Sequence, residues 1–271
     1  MMKTLRNYTL IYDDQCPMCN IYSKGFIKTG MLDENGRQAF TDLSCKNRNL
    51  IDLKRSRNEI ALINQNTNEV FYGLDSLLLL IGNSFPILEK TARIKPLHWL
   101  FKKLYSFVSY NRKQIIPSKK DDLEQACIPD FKLKYRLIYI AFAVMFSAYI
   151  FSLFSIKLRL SFTHNFWIGF TFFIGQIIWQ TLFLKYFLKD KIWDYLGNMM
   201  TVSLVEALLL IPALFFDLNS FLTVMYFGII IFMMLMEHLR RCNILKLNLL
   251  PTISWMLFRL TVAGILIWIN F

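Results

Sequence analysis

The chain has 271 residues, of which 55% are hydrophobic and 16% aromatic, with a mean hydropathy of +0.38 and a formal charge of +12. That composition excludes one soluble globule and places the chain in a membrane. The positive charge does not argue for nucleic acid, because the basic residues gather beside apolar runs and in one aromatic stretch, so no nucleic-acid partner is expected.

The first element is a strand. Tyr8, Leu10 and Tyr12 alternate with smaller or less apolar residues as a half-buried strand would, and Ile21, Tyr22, Gly25 and Phe26 then recur at helical spacing. Between them lies Asp13-Asp14-Gln15-Cys16-Pro17-Met18-Cys19. Cys16 falls at the predicted helix N-terminus, where free backbone N–H groups and the helix dipole favour a thiolate, and Pro17 suits a first turn that needs no N–H. Cys19 follows one turn later on the same face, a spacing that suits reversible thiol–disulfide exchange. Asp13 and Asp14 oppose the thiolate by their charge. Two other readings stay open: half of a zinc knuckle, although Cys45, Cys127 and Cys242 are scattered singly and no metal is expected, or an inert pair of small core residues.

The strand and the Asp-x-x-Cys-Pro-x-Cys run resemble the DCC family of thiol-disulfide oxidoreductase-like proteins, also known as the DUF393 domain. Asp13, Cys16 and Cys19 match the three letters of its name. The similarity continues through Ile60-Ala61-Leu62-Ile63, the Asn/Gln-rich turn from Asn64 to Asn68, Val70-Phe71-Tyr72-Gly73 and the helix-like Leu74 to Ile81, and fades between Arg112 and Pro117. The resemblance implies a thioredoxin-like α/β domain with Cys16 attacking, Cys19 resolving, and Asp13 orienting the turn or assisting proton transfer. Its substrate would be a protein or small-molecule disulfide, with no cofactor. The chain departs from the family pattern at Asp14, where Gly is common and where Asp can still occupy a left-handed turn. It departs again at Ser56-Arg57-Asn58-Glu59, where a thioredoxin-like protein presents a proline before its strand.

From Lys90 to Lys120, Lys95, Lys102, Lys103, Arg112, Lys113, Lys119 and Lys120 interleave with Trp99, Phe101, Tyr105 and Phe107. Such a stretch reads as contact with anionic lipid headgroups or as a solvated face with a packed apolar side. His98 reads as a surface histidine. Pro117-Ser118-Lys119-Lys120-Asp121-Asp122 opens a basic linker that runs to residue 136, so the predicted domains are 1–116, 117–136 and 137–271.

Beyond Pro129 come about five apolar runs of bilayer-spanning length: Leu137 to Ile156, Phe166 to Leu184, Met199 to Phe216, Phe221 to Met236 and Ile253 to Phe271. Asp217-Leu218-Asn219-Ser220 makes a tight hairpin of the third and fourth, and the fourth borrows residues from its flanks. Lys132, Lys134 and Arg136 precede the first run, Lys157 and Arg159 follow it, Lys185, Lys189 and Lys191 lie between the second and third, and Arg240, Arg241 and Lys246 between the fourth and fifth. The heavier loops alternate on one side, which puts the N-terminal domain in the cytosol and the C-terminus outside, in an integral protein of the cell inner membrane. Residues 1–10 do not read as a signal peptide, and the thiols are expected to face a reducing compartment.

Glu206 falls within the third run, where an ionisable group needs a partner, and it is the first candidate in this half. Glu237, His238, Arg240, Arg241 and Cys242 form a polar run at the end of the fourth, with Glu237 and Arg241 at ion-pair spacing. Glu206, Glu237, His238 and Arg241 are therefore the membrane-half candidates, for a lipid headgroup, a quinone or a partner. Arg259, inside the fifth run, needs either to snorkel or to have an acidic partner, for which Glu206 or Glu237 qualifies, and Asn198 and Gln176 read as bonds between helices. A thiol relay or a bis-histidine haem is not expected, because only Cys242 lies in this half and His164 and His238 fall at opposite faces. Two functions stay open: a membrane-anchored oxidoreductase, or a non-catalytic protein with a partner-binding head and helices that bind or transport a lipid-soluble molecule.

Overall fold

A computed structural model of the protein describes residues 3–117, 127, 129–158, 165–217 and 219–270. The chain divides into two compact units, Met1–Tyr135 and Arg136–Phe271. Half of the predicted linker, and Arg159, His164, Leu218 and Phe271 with it, lie outside the described residues.

The first unit is built on a sheet of four strands, β1 (Tyr8–Tyr12), β2 (Arg37–Ala39), β3 (Ala61–Asn64) and β4 (Val70–Tyr72), in the order β2-β1-β3-β4. β1 runs parallel to β2, and α1 (Pro17–Lys28) lies between them in sequence, since parallel neighbours need a crossover. β3 is antiparallel to β1, with Leu10 opposite Leu62, and β4 is antiparallel to β3. In the short loop between these two, Asn64 accepts the Asn66 N–H at 3.0 Å and Asn68 takes φ +59°, a conformation Asn tolerates.

β1 is not half-buried. Leu10 packs on one face with Leu62, Tyr22 and Phe26 of α1, and Leu80 of α4 (Leu74–Ser84). Ile11 packs on the other with Ala61, Ile63 and Phe40, against Leu50 of α2 (Cys45–Leu50) and Leu53 of α3 (Leu53–Asn58). A central strand with helices on both sides has two inner faces, so the alternation of Tyr8, Leu10 and Tyr12 understates its burial. In α1 the helical spacing holds for Tyr22 and Phe26, whereas Ile21 is 69% exposed.

Gly73 starts α4 at φ +61°, a backbone conformation that favours glycine. α5 (Pro86–Ala92) and α6 (Lys95–Ile115) complete the unit. His98 is not a free surface histidine: its Nε2 meets Asp75 Oδ1 at 3.1 Å and ties α6 to α4.

The second unit is helical: α7 (Leu133–Lys157) leads into it, followed by α8 (Phe166–Leu188), α9 (Ile192–Phe215), α10 (Ser220–Ile244) and α11 (Leu250–Asn270). Among the described residues three stretches are long and apolar enough to cross a membrane, 133–157, 166–215 and 220–244, with a shorter apolar helix at 250–265. The stretch 166–215 is two helices, because a 3-10 turn at Lys189–Lys191 and φ +45° at Lys189 break it. At 1.5 Å per residue each half alone matches a bilayer core of about 30 Å. α9 and α10 form the expected antiparallel hairpin, in which the Tyr226 hydroxyl donates to the Leu209 carbonyl and Arg241 reaches Asn198.

Candidate functional site

Cys16 caps α1 with extended backbone (φ −93°, ψ 112°), and Pro17 takes the first helical position as its spacing predicts. The turn before it closes by the Cys16 N–H donating to the Asp13 carbonyl at 3.2 Å, while the Gln15 N–H donates to Asp13 Oδ1 at 3.2 Å. Asp14 does not take the left-handed conformation, because this turn is satisfied without one. Asp13, Cys16 and Cys19 bring a carboxylate oxygen and two sulfurs within 4.8 Å of one another. Both thiols are free and buried, Cys16 1% and Cys19 4% exposed.

The two thiols are electrostatically unlike. The Cys19 thiol and backbone N–H hydrogen-bond the Cys16 sulfur and, with help from Arg112, draw its pKa down to about 6 against burial and the Asp13 charge. The same bond, together with burial and the neighbouring thiolate, pushes the Cys19 pKa up, so Cys19 keeps its proton. The surroundings thus favour a thiolate at Cys16 and a protonated thiol at Cys19.

Arg112 is the residue that sequence reasoning missed. Its Nη2 and Nε donate to Asp13 Oδ2 at 3.0 and 3.3 Å, with side chains 6% and 2% exposed. The Nη2 also donates to the carbonyls of Arg57 and Cys127, both at 2.9 Å. α6 further holds the segment before β3: Ser109 Oγ donates to the Asn58 carbonyl, and the Ile60 N–H donates to the Tyr105 hydroxyl at 3.0 Å. This is the segment where the family pattern leads one to expect a proline. Tyr105, Ser109 and Arg112 sit at i, i+4 and i+7, one face of a helix, and a cation in phase with buried residues was the available signal.

Cys127, scattered in the sequence, joins the same cluster; its sulfur lies 3.5 Å from Arg112 Nη2, and burial pushes its pKa up to about 12. A cavity of about 190 Å³ opens among Asp13, Cys19, Tyr22, Tyr105, Arg112 and Cys127, with mostly apolar walls. A cation bound by Asp13 and the thiols would meet the Arg112 guanidinium already paired with that carboxylate, which opposes the zinc reading.

In the helical unit the Glu206–Arg259 pair is present at 3.5 Å, with Ser203 Oγ 3.4 Å from Arg259 and the guanidinium 4.3 Å from the Trp255 ring centre. Glu237 receives Arg241 Nε at 2.7 Å, as its spacing predicts, and also Arg240 Nε at 2.6 Å. Arg241 is buried and donates to Asn198 Oδ1 at 3.0 Å, so it does more than mark topology. His238 is buried too, between Tyr195 Oη (3.3 Å), Thr252 Oγ1 (3.0 Å) and the Trp255 ring, and does not share a site with Glu237 through any hydrogen bond found among the described residues. Asn198 bonds between helices as expected; Gln176 does not, its amide having no hydrogen-bond partner among the described residues.

Comparison with known proteins agrees with the geometry of the first unit. No curated protein and no solved structure matches the chain. A family model does, over the strand, the dithiol turn and the helices up to the end of α6. Residues 10–117, with Cys16 and Cys19 at the start of α1, match the model of the DCC1-like thiol-disulfide oxidoreductase family.

Proposed function

We propose that the chain is a membrane-anchored thiol–disulfide oxidoreductase. Its first unit is a thioredoxin-like domain in the cytosol, and its helices cross the inner membrane five times. The observation that carries the chemistry is the Cys16 sulfur at the α1 N-terminus, hydrogen-bonded by the Cys19 thiol and N–H. The Cys16 thiolate attacks one sulfur of a substrate disulfide, the S–S bond breaks, and the other sulfur leaves as a thiolate that takes up a proton. Cys19 then loses its proton and attacks the Cys16 sulfur, which releases the substrate as a dithiol and leaves a Cys16–Cys19 disulfide for an external thiol reductant. A β-α-β unit followed by an antiparallel β3–β4 hairpin and α4 supports the thioredoxin-like assignment.

Helices of 21 to 25 residues support five crossings, and the alternation of Lys and Arg between them supports the orientation. One observation favours a second reading, a head that binds a partner without catalysis: Cys16 is 1% exposed, so the closed turn must open before a substrate sulfur reaches it. Paired substitutions decide between them. Cys16→Ser should abolish turnover of a disulfide substrate while Cys19→Ser accumulates a mixed disulfide, visible by mass; unchanged turnover in both leaves the binding head. For orientation, a cysteine introduced at Asn219 should be labelled from outside the cell and one at Asn243 should not, and the reverse pattern inverts the map.

A further inference from the structure

α6 has a second face that the thiol chemistry does not use. Tyr105, Ser109 and Arg112 face the dithiol cluster, whereas Leu100, Leu104 and Val108, at i, i+4 and i+8, are exposed, together with Trp99, which is 64% exposed. Ile87 and Leu88 of α5 and Ile94 between the helices extend the exposed apolar surface. Exposed Lys95, Lys102 and Lys103 flank it, and Lys103 Nζ lies 5.8 Å from the Trp99 ring centre. Residues 95–115 contain no Asp or Glu. The nearest acids in sequence on α4 and α5 are already engaged: Asp75 by His98 at 3.1 Å, and Glu89 by Arg93 at 2.8 Å.

An exposed apolar stripe of this extent marks a docking surface, and lysines beside Trp and Leu on one helix specify its occupant: the aromatic and aliphatic groups enter the acyl boundary while the ammonium groups meet anionic headgroups. The same chain carries apolar helices of membrane-spanning length after α6, the first beginning at Leu133. We propose that the exposed face of α5 and α6 lies on an anionic bilayer surface. The cavity beside Cys19, to which α6 contributes Tyr105, Val108, Ser109 and Arg112, then works at the membrane interface, and Val108 belongs both to the exposed stripe and to the cavity wall. The docking does not depend on the proposed oxidoreductase activity.

The test uses the full chain in proteoliposomes, with the photocrosslinking residue p-benzoylphenylalanine placed at Leu104 and, as a control, at Asn66 in the β3–β4 loop. In vesicles containing phosphatidylglycerol, position 104 should crosslink to phospholipid and position 66 should not. The yield at 104 should fall several-fold in pure phosphatidylcholine, in roughly 1 M salt, where the screening length shrinks to about 3 Å, and in the exposed-site variant Lys95→Glu/Lys102→Glu/Lys103→Glu. Crosslinks from 104 to protein, whether another segment of this chain or a second copy, or no crosslink at all, overturn the proposal. A lipid crosslink indifferent to headgroup charge and salt overturns its anionic character.

Discussion

Each unit of this protein buries an arginine against a carboxylate, and the two pairs are built differently. Arg112 meets Asp13 at 3.0 Å and also donates to the carbonyls of Arg57 and Cys127, while Asp13 takes the Gln15 N–H. Arg259 meets Glu206 at 3.5 Å and leans on the faces of Trp255 and Phe172, with its Nε left without a partner among the described residues. The difference follows from the backbone around them. Turns and helix ends in an α/β domain leave carbonyls and N–H groups free to complete a buried charge. Packed helices consume most of their own backbone groups, and Arg259, deep among them, is held by side chains and aromatic faces.

The largest effect that sharpens this contrast is expected at Arg112. Arg112→Met leaves Asp13 buried and unpaired, and should destabilise the first unit by about 3–5 kcal/mol, read as a lower thermal midpoint of the detergent-solubilised chain. Lysine separates the two pairs further. Arg112→Lys keeps the charge but abandons the fork that reaches two carbonyls, whereas Arg259→Lys gives up little more than stacking, so the first should cost at least about 1 kcal/mol more. Equal costs would break the contrast.

The dithiol gives the next largest effect, and its sign can be worked out. The folded Cys16 value of about 6 lies below the ordinary thiol value of 9.0, so its contribution is fully present above the unfolded value and is lost as pH falls through about 6. Cys19 is shifted the other way, so above 9.0 the unfolded chain sheds a proton that the fold retains. The reduced protein should therefore gain stability between pH 6 and 9, by at most about 1.4 kcal/mol per unit, and lose it again above. Cys16→Ser should flatten the rise. Iodoacetamide should report a midpoint near pH 6 with a rate held down by burial; a midpoint near 9 would return the pair to two ordinary buried thiols.

Much of the site is legible in the amino-acid sequence. The strand, the helix start at Cys16 and Pro17 and the spacing to Cys19 are local features, written in consecutive residues, and the fold contains each of them. The partner of Asp13 is not legible in the same way, because Arg112 lies 99 positions away and is one cation among many in a basic stretch. Only the fold shows that it turns inward while Lys102 and Lys103 turn outward. The same limit applies to Cys127, and to Ile11, whose burial on the second face of β1 depends on helices that arrive later in the chain. In the helical unit, Glu206 and Arg259 are legible as a pair because both are costly alone in an apolar span, and Glu237 with Arg241 because their spacing is local. Gln176 reads as an inter-helix bond on residue type alone, and the packing does not supply one.

Smaller effects are expected in the helical unit. Glu206→Gln keeps an acceptor for Arg259 but removes the countercharge; the faces of Trp255 and Phe172 continue to hold the guanidinium, so the cost should be about 1–2 kcal/mol in thermal stability. A loss of activity with folded protein retained would instead give Glu206 a role beyond packing.

Gln176 and Gln180 make the finest test of the contrast between the units. They lie one turn apart on α8, are 1% and 0% exposed, and neither amide has a hydrogen-bond partner among the described residues. An unsatisfied buried amide costs about 1–3 kcal/mol, and leucine fills nearly the same volume without that cost. If packed helices simply leave these amides stranded, Gln176→Leu should be neutral or stabilising by up to about 1 kcal/mol. A well-ordered water or a polar ligand between α8 and its neighbours would reverse the sign, because leucine would remove its partner. A thermal midpoint that falls in Gln176→Leu and again in Gln180→Leu would therefore show that the helical unit completes these two amides with an occupant, where Arg112 of the α/β unit is completed by backbone carbonyls.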